Sequence, residues 1–320
     1  MKIAQVVEEY VALKRSIGMR FTTQGSVLKA FCGAIGSVDA AEIEQAGVQA
    51  FLSRSQPITS SWHLRFYALR GLFRFAIERG FMIASPLPHI IPKQPAYAKP
   101  YIYSPEELRR LLDAAKELDS RQKNSIRGTI PAQTFRTLIL LLYGAGLRLS
   151  EALALTIDDV DLSANQLVVR NTKFYKTRLL PIGPKLSTAL ALYAQSRAVL
   201  SERPPASAAF FLRRWGKPLS GPSVEYYFRL VRARADLGRS DGAYFQPRLH
   251  DLRHTFAVHR LVAWYRSGAD VQRLLPQLST YLGHIGLAET QHYLTMTPEL
   301  LREANRRFES YASLEVGYDK

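Results

Sequence analysis

The sequence predicts a mainly α-helical protein with one small antiparallel β-sheet, divided into two domains. Three observations carry that expectation. Apolar residues recur at helical spacing along most of the chain, and a proline-rich stretch near residue 90 interrupts them. Between residues 157 and 182 the pattern changes to short, strand-like runs separated by turn residues.

Residues 1–95 read as a helical domain. Val6, Val7, Tyr10, Val11, Leu13 and Ile17 share a helical period, with Gly18 as the stop. Thr22 or Thr23 is expected to cap a second helix carrying Val27, Leu28, Phe31 and Ile35. A third is expected over Ala40 to Ser53. The fourth runs from about Ser61 to Arg79, with Trp62, Phe66, Leu69, Phe73 and Ile77 as its apolar stripe. Beside that stripe, at 100° per residue, lie His63, Tyr67, Arg70 and Arg74. A basic stripe containing an aromatic suits a helix laid against a phosphate backbone, although charged helix faces are commonly just solvated. Gly80 closes the helix. Prolines 86, 88, 92, 95 and 100 then impose an extended linker.

Residues 96–320 read as the second domain. Ser104-Pro105-Glu106-Glu107 is a capping box with proline at the first helical position, and Leu108, Leu111, Leu112 and Ala115 supply its buried side. After a basic connection over Arg121 to Arg127, the run Phe135 to Leu142 is apolar on nearly every side and should be buried. Gly144 and Gly146 permit a sharp turn that places Arg148 at the mouth of the next helix. Val160–Leu162, Gln166–Arg170 and Arg178–Ile182 are expected to pair as a three-stranded antiparallel sheet. A helix follows from Pro184 to about Leu200, packing with Leu186, Leu190, Leu192 and Tyr193. Phe210–Leu212 suits a short edge strand. A helix from Ser220 carries Tyr226, Tyr227, Phe228 and Leu230, and a capped amphipathic helix is expected after Thr297.

The stretch His250 to Tyr293 concentrates the chemistry. It contains His250-Asp251-Leu252-Arg253-His254-Thr255, then Leu282-Gly283-His284, then Thr290-Gln291-His292-Tyr293. A tyrosine hydroxyl titrates near 10 and is a poor nucleophile unless neighbours stabilise charge and move protons. His250 and Arg253 lie at a helix start, where free N–H groups and the dipole favour an anion, and an arginine fork matches phosphate geometry. His254 and His259 read as structural.

Bulk composition points the same way. The net charge of +16 over 320 residues favours a polyanionic partner, with nucleic acid foremost. Cys32, the single cysteine, excludes an intramolecular disulfide and a thiolate metal cluster. The chain opens without an apolar signal core, and no run of about 18 apolar residues appears, so a cytoplasmic protein without membrane contact is expected. No phosphate-cradling Gly-x-x-x-x-Gly-Lys-Ser/Thr run is present.

Taken in order, the Gly-Leu-Arg box at Arg148, the His-x-x-Arg pair, the Leu-Gly-His and the Tyr nine residues beyond it resemble the catalytic domain of tyrosine recombinases of the phage-integrase type. Residues 1–95 resemble that family's helical core-binding domain more diffusely, with Ser85-Pro86 where the family often has Asn-Pro. The resemblance implies a site-specific DNA recombinase that works without cofactor or metal. Its nucleophile would be Tyr293, with Arg148 and Arg253 on the phosphate and His250 and His284 sharing proton handling. Glu151 would orient Arg148, and Lys173 would protonate the leaving oxygen, with Lys176 as the neighbouring candidate. The resemblance also implies double-stranded DNA as partner, two protomers per crossover site and four in the synapse, with a related recombinase as an alternative co-partner. A type IB topoisomerase-like nicking-closing enzyme and a non-catalytic DNA-binding regulator are the alternative readings.

Overall fold

The computed structural model describes residues 1–54, 58–94, 99–120, 130–170, 177–198, 205, 207–243, 245–295, 300–306 and 308–309. The chain divides into two compact units, Met1–Tyr97 and Ala98–Lys320.

In the first unit, helices α1 (Ile3–Ser16), α2 (Thr22–Ile35), α3 (Gln45–Leu52) and α4 (Ser60–Glu78) enclose one apolar core. Phe31 of α2 is its pivot, meeting the rings of Phe51 and Phe73 edge-on at centroid distances of 5.2 and 5.9 Å. The chain enters α2 through Phe21 in the left-handed region (φ 47°), so neither threonine serves as the expected cap. The single helix expected over residues 40–53 is two pieces. A 3₁₀ turn, Ala40–Glu42, is followed by extended backbone at Ile43 and Glu44 before α3 begins. Ile43 is buried from that extended segment.

Helix α4 buries a wider arc than its stripe predicts, because α1, α2 and α3 all pack against it. Trp62, Phe66, Leu69 and Phe73 are buried as expected, and Leu72, Phe75 and Ala76 join them. Ile77, at the end of the stripe, is exposed. His63 is corrected by the same geometry. It is only 4% exposed and packs edge-on to Trp62, so it belongs to the interior and not to the basic stripe.

The second unit is helical around α6 (Ala132–Gly144), which packs against α5 (Pro105–Lys116), α8 (Pro184–Ala198) and α10 (Leu249–Arg266). Its apolar circumference finds partners on several sides, as its sequence demands. The capping box of α5 forms as read: Ser104 Oγ accepts from Glu107 N at 3.2 Å, and Glu107 Oε2 accepts from Ser104 N at 2.8 Å. After the short helix α7 (Leu149–Ala154), strands β1 (Val160–Asp161), β2 (Gln166–Val169) and β3 (Arg178–Pro181) form an antiparallel sheet in that order. Leu167 stands opposite Leu180 and Val169 opposite Arg178, with Leu167, Val169 and Leu180 turned to the core. Helix α9 (Gly221–Arg234) follows, then α10, α11 (Val271–Leu282) and α12 (Leu287–Gln291), leading into a 3₁₀ turn, His292–Thr295.

Some details depart from expectation. Leu192 and Tyr226 face outward, at 55% and 49% exposure. Phe210–Leu212 forms no strand; isolated bridges pair Ala209, just before it, with Thr156 and its last residue, Leu212, with Pro218. Residues 300–306 are helical, whereas the cap expected near Thr297, like the Arg121–Arg127 connection, lies outside the described residues.

Candidate active site

The site grows from one buried carboxylate. The turn Ala145-Gly146-Leu147 ends α6 and turns the chain into α7, whose N-cap is Arg148. Gly146 adopts φ 60°, and a side chain there would meet Phe256 Cδ1 at 2.6 Å and Leu282 Cδ2 at 2.9 Å. Glu151, three residues into α7, accepts from the Arg148 backbone N–H at 3.1 Å and from Arg148 Nη1 at 2.9 Å. Its far side receives Arg178 of β3, Nη1 to Oε1 at 3.2 Å and Nη2 to Oε2 at 2.9 Å. Arg253 Nη1 lies 4.0 Å from the same carboxylate. Burial alone would raise the Glu151 carboxyl. The hydrogen bonds and charge of Arg178, with those of Arg148, outweigh it and hold the group below its ordinary value.

Helix α10 brings the second layer. Its start is fixed by Asp251, fully buried, which accepts from the Arg248 backbone N–H at 2.8 Å and from Arg248 Nη2 at 3.1 Å. That cap sets the first turn, from which Arg253 enters the interior at 2% exposure. Its guanidinium donates from Nη1 to the Gly146 carbonyl and from Nη2 to the Leu282 carbonyl, both at 2.7 Å. Desolvation, and then the charge of Arg148, lower its pKa to about 10, so it stays cationic at neutral pH.

Helix α11 ends at Gly283 in the left-handed conformation, φ 68°. The Gly283 carbonyl accepts from Arg148 Nη2 at 3.4 Å, and a side chain here would strike Arg178 Nη1 at 2.6 Å. His284 follows at once, its Nδ1 2.7 Å from Thr290 Oγ1. The imidazole of His284 stacks on the ring of Tyr293 at 6.0 Å and 22°. Tyr293, 3% exposed, places its hydroxyl 3.2 Å from His254 Nδ1. His250 stands at the exposed start of α10, its ring edge-on to His254 at 4.7 Å.

All three histidines are held toward the neutral form. Burial, then the Arg253 charge, lower His250 and bring His284 to about 4, while burial, then His250, bring His254 to about 3. The result is a compact basic cluster with neutral imidazoles and one phenol, suited to an anion with several acceptor oxygens. Among the described residues no group of three or more His, Cys, Asp or Glu side chains is arranged to hold a metal ion. Likewise no described helix is long and apolar enough to cross a membrane.

Five of the expected residues therefore converge in one place: Arg148, Glu151, Arg253, His284 and Tyr293, with His250 at its edge. Lys173 and Lys176 lie outside the described residues. In the first unit, Tyr67, Arg70 and Arg74 are exposed along α4, with Arg74 paired to Glu78 at 2.8 Å. Two further residues, one expected only in a strand and one expected to be structural, touch this cluster. Arg178 read only as the start of a strand, and no local pattern distinguishes it. His254 carried a signal, since it stands four residues from His250 on one helical face.

The sequence matches the phage integrase family over residues 103–299. This chain belongs to that family. Relatives extend the likeness to nearly the whole length. A Sinorhizobium fredii protein named as an integrase/recombinase, y4rB, is 37% identical over 309 residues, 95% of this chain and 96% of that one. Tyrosine recombinase XerD of Mycobacterium tuberculosis is 34% identical over 238 residues, 74% of this chain and 70% of the relative. Among solved structures, the Tn1549 transposon integrase in complex with transposon right end DNA superposes with a TM-score of 0.68 at 16% identity, covering 98% of this chain and 100% of that one. A lambda integrase dimer bound to a COC′ core site gives 0.65 at 17% identity, covering 93% and 97%. At these identities the structural likeness is one of fold: mainly helical, with a small antiparallel sheet.

Proposed function

We propose that this family member is a site-specific recombinase that cuts and rejoins double-stranded DNA through Tyr293. The phenol passes its proton to the His250 and His284 pair, and its oxygen attacks the scissile phosphorus. The new O–P bond leaves a 3′-phosphotyrosyl link, the bond to the 5′ oxygen breaks, and that oxygen takes up a proton to become a free hydroxyl. The observation that carries the reading is the convergence of Arg148 and Arg253 on Glu151, beside the stacked His284 and Tyr293. Two guanidiniums held by a buried carboxylate and backbone carbonyls are preorganised for charge on the non-bridging oxygens and need little rearrangement as it builds. The neutral imidazoles of His250 and His284 are able to accept a proton or donate a hydrogen bond to the phosphate. Lys173 is assigned the leaving-group proton by the family resemblance, with Lys176 as its competitor. The phosphotyrosine conserves the energy of the broken bond, so rejoining needs no nucleotide cofactor.

The first unit is assigned to DNA binding through Tyr67, Arg70 and Arg74 of α4, and the second to strand cutting. Two protomers are expected on each crossover site and four in the synapse. The lambda integrase structures, solved as a dimer on a core site and as a tetramer on a Holliday junction, support that arrangement by analogy.

Covalent trapping tests the proposal. Wild type and Tyr293→Phe are incubated with nicked DNA carrying a candidate crossover site, and SDS-resistant adducts are scored. Adducts with wild type alone support Tyr293 as nucleophile. Adducts of equal yield with Tyr293→Phe refute it.

A further inference from the structure

The Tyr293 hydroxyl meets an atom that the scheme above leaves idle. His254 Nδ1 lies 3.2 Å from it, and the ring is 7% exposed. The other nitrogen, His254 Nε2, is buried and has no hydrogen-bond partner among the described residues. That asymmetry selects a tautomer. A proton on Nε2 would leave a buried N–H donor unmet, which is costlier and rarer than an unmet lone pair. The proton therefore belongs on Nδ1, and Nδ1–H donates to the phenol oxygen.

We propose that His254 is a positioning residue for Tyr293, donating from Nδ1–H to the phenol oxygen so that the oxygen is aimed and its developing or departing phenolate charge is stabilised. The inference rests on Tyr293 being the nucleophile. Its geometry favours readiness over storage. The phenol already lies between His254 and the stacked ring of His284, close enough to Arg253 for its charge to bear on that guanidinium. A neutral imidazole with its proton on Nδ1 cannot take the phenol proton at that atom, so His254 donates and the proton leaves by another group. The charged or titratable groups facing His254 are His250, Arg253 and Arg248 from its own helix, and His284 and Tyr293 from the segments packed against it. The arrangement serves both directions of the reaction: in cutting it favours the attacking oxygen, and in rejoining it favours the phenolate as leaving group.

Three variants separate this role from packing. His254→Ala removes the donor and the ring. His254→Asn keeps an N–H near the position of Nδ1, and His254→Phe keeps the ring without the donor. Adduct formation is followed in single turnover on saturating nicked DNA, with DNA affinity and melting temperature measured alongside. A hydrogen bond to a charged group implies a roughly ten- to hundredfold slower adduct step in the Ala and Phe variants, with DNA affinity unchanged. The alkaline rise of the rate should move to higher pH in both, and Asn should recover most of the loss. His254→Phe forming adducts at the wild-type rate overturns the proposal. So does a faster step in His254→Ala, the mark of a contact that withholds the nucleophile, or an Asn variant as slow as Phe at equal melting temperature. Wild-type adducts that persist in Tyr293→Phe would instead remove the underlying assignment, so the two failures are distinguishable.

Discussion

Replacing Glu151 with glutamine keeps the side-chain shape and removes one charge. In the wild type that carboxylate is 7% exposed and neutralises Arg148 at 2.9 Å and Arg178 at 2.9 Å, with Arg253 at 4.0 Å. Glutamine retains one acceptor oxygen, but its amide nitrogen turns a donor toward a guanidinium. Arg178, with 12% of its side chain exposed, then keeps its buried charge without a counter-ion. Breaking a buried pair from one side costs about 3–5 kcal/mol; since Arg148 is 32% exposed and recovers some hydration, the lower end applies, about 3 kcal/mol. For a unit of this size that corresponds to a drop of roughly 6–12 °C in the calorimetric transition of the second unit. Acid titration gives an independent reading. The folded carboxyl is held below its ordinary 4.5, so its stabilisation is complete above that value and is lost as pH falls through the lower folded one. Wild type should therefore lose its advantage over Glu151→Gln below about pH 4.5. A melting temperature within about 1 °C of wild type at pH 7 would show that the arginines find adequate partners without this carboxylate, refuting the reasoning.

Other expected outcomes follow from the same geometry. Gly146→Ala meets both a positive φ and a contact of 2.6 Å with Phe256, so stability should fall by about 2–4 kcal/mol in urea unfolding. Gly283→Ala is expected to slow adduct formation as well as lower stability, because its methyl displaces Arg178 from Glu151; a variant that melts lower but cuts at the wild-type rate would contradict that link. Arg70→Ala with Arg74→Ala should leave the melting temperature unchanged and flatten the salt dependence of DNA binding by up to about 2 in log–log slope, with Arg74 contributing less because Glu78 already engages it. His254 binds its proton only near pH 3 when folded but near 6.5 when unfolded, so stability falls with pH below 6.5. Replacing it with asparagine should make that decline shallower by about 1.4 kcal/mol per pH unit.

The parts of this molecule that a linear reading reached are those written in short-range chemistry. The capping box at Ser104 and the glycine turn before Arg148 depend on residues within a few positions of each other. So does the three-stranded sheet, whose strands follow one another in the chain and pair in that order. The motif spacings located Arg148, Arg253, His284 and Tyr293, and the resemblance supplied Glu151 as the partner of Arg148, but nothing in the sequence showed the second arginine on that carboxylate. Arg178 and Glu151 are 27 residues apart and meet only because β3 passes α7; no periodicity records that encounter. His63 was misjudged for a related reason. Its place on α4 was right, but a helix packed by three neighbours buries a wider arc than one apolar stripe suggests. The break at Ile43 has the same origin: a residue of good helical neighbourhood is drawn into a tertiary core from extended backbone.

The guanidinium of Arg253 has a consequence for how such a gene can decay. Its two tips fasten the carbonyls of Gly146 and Leu282, so the residue is a strut between three chain segments as well as a source of charge. Losing it forfeits the shape of the site together with its charge, whereas losing the Tyr293 hydroxyl, the proposed nucleophile, gives up its contact with His254 and leaves those carbonyl contacts in place. A copy released from selection for cutting, yet still kept for its grip on DNA, should shed the hydroxyl and retain the arginine. Such a copy would be a folded competitor for the same crossover sites, able to occupy a place in the synapse and stall its partners. With Tyr293 as the proposed nucleophile, an active copy and such a blocking copy differ by a single oxygen atom.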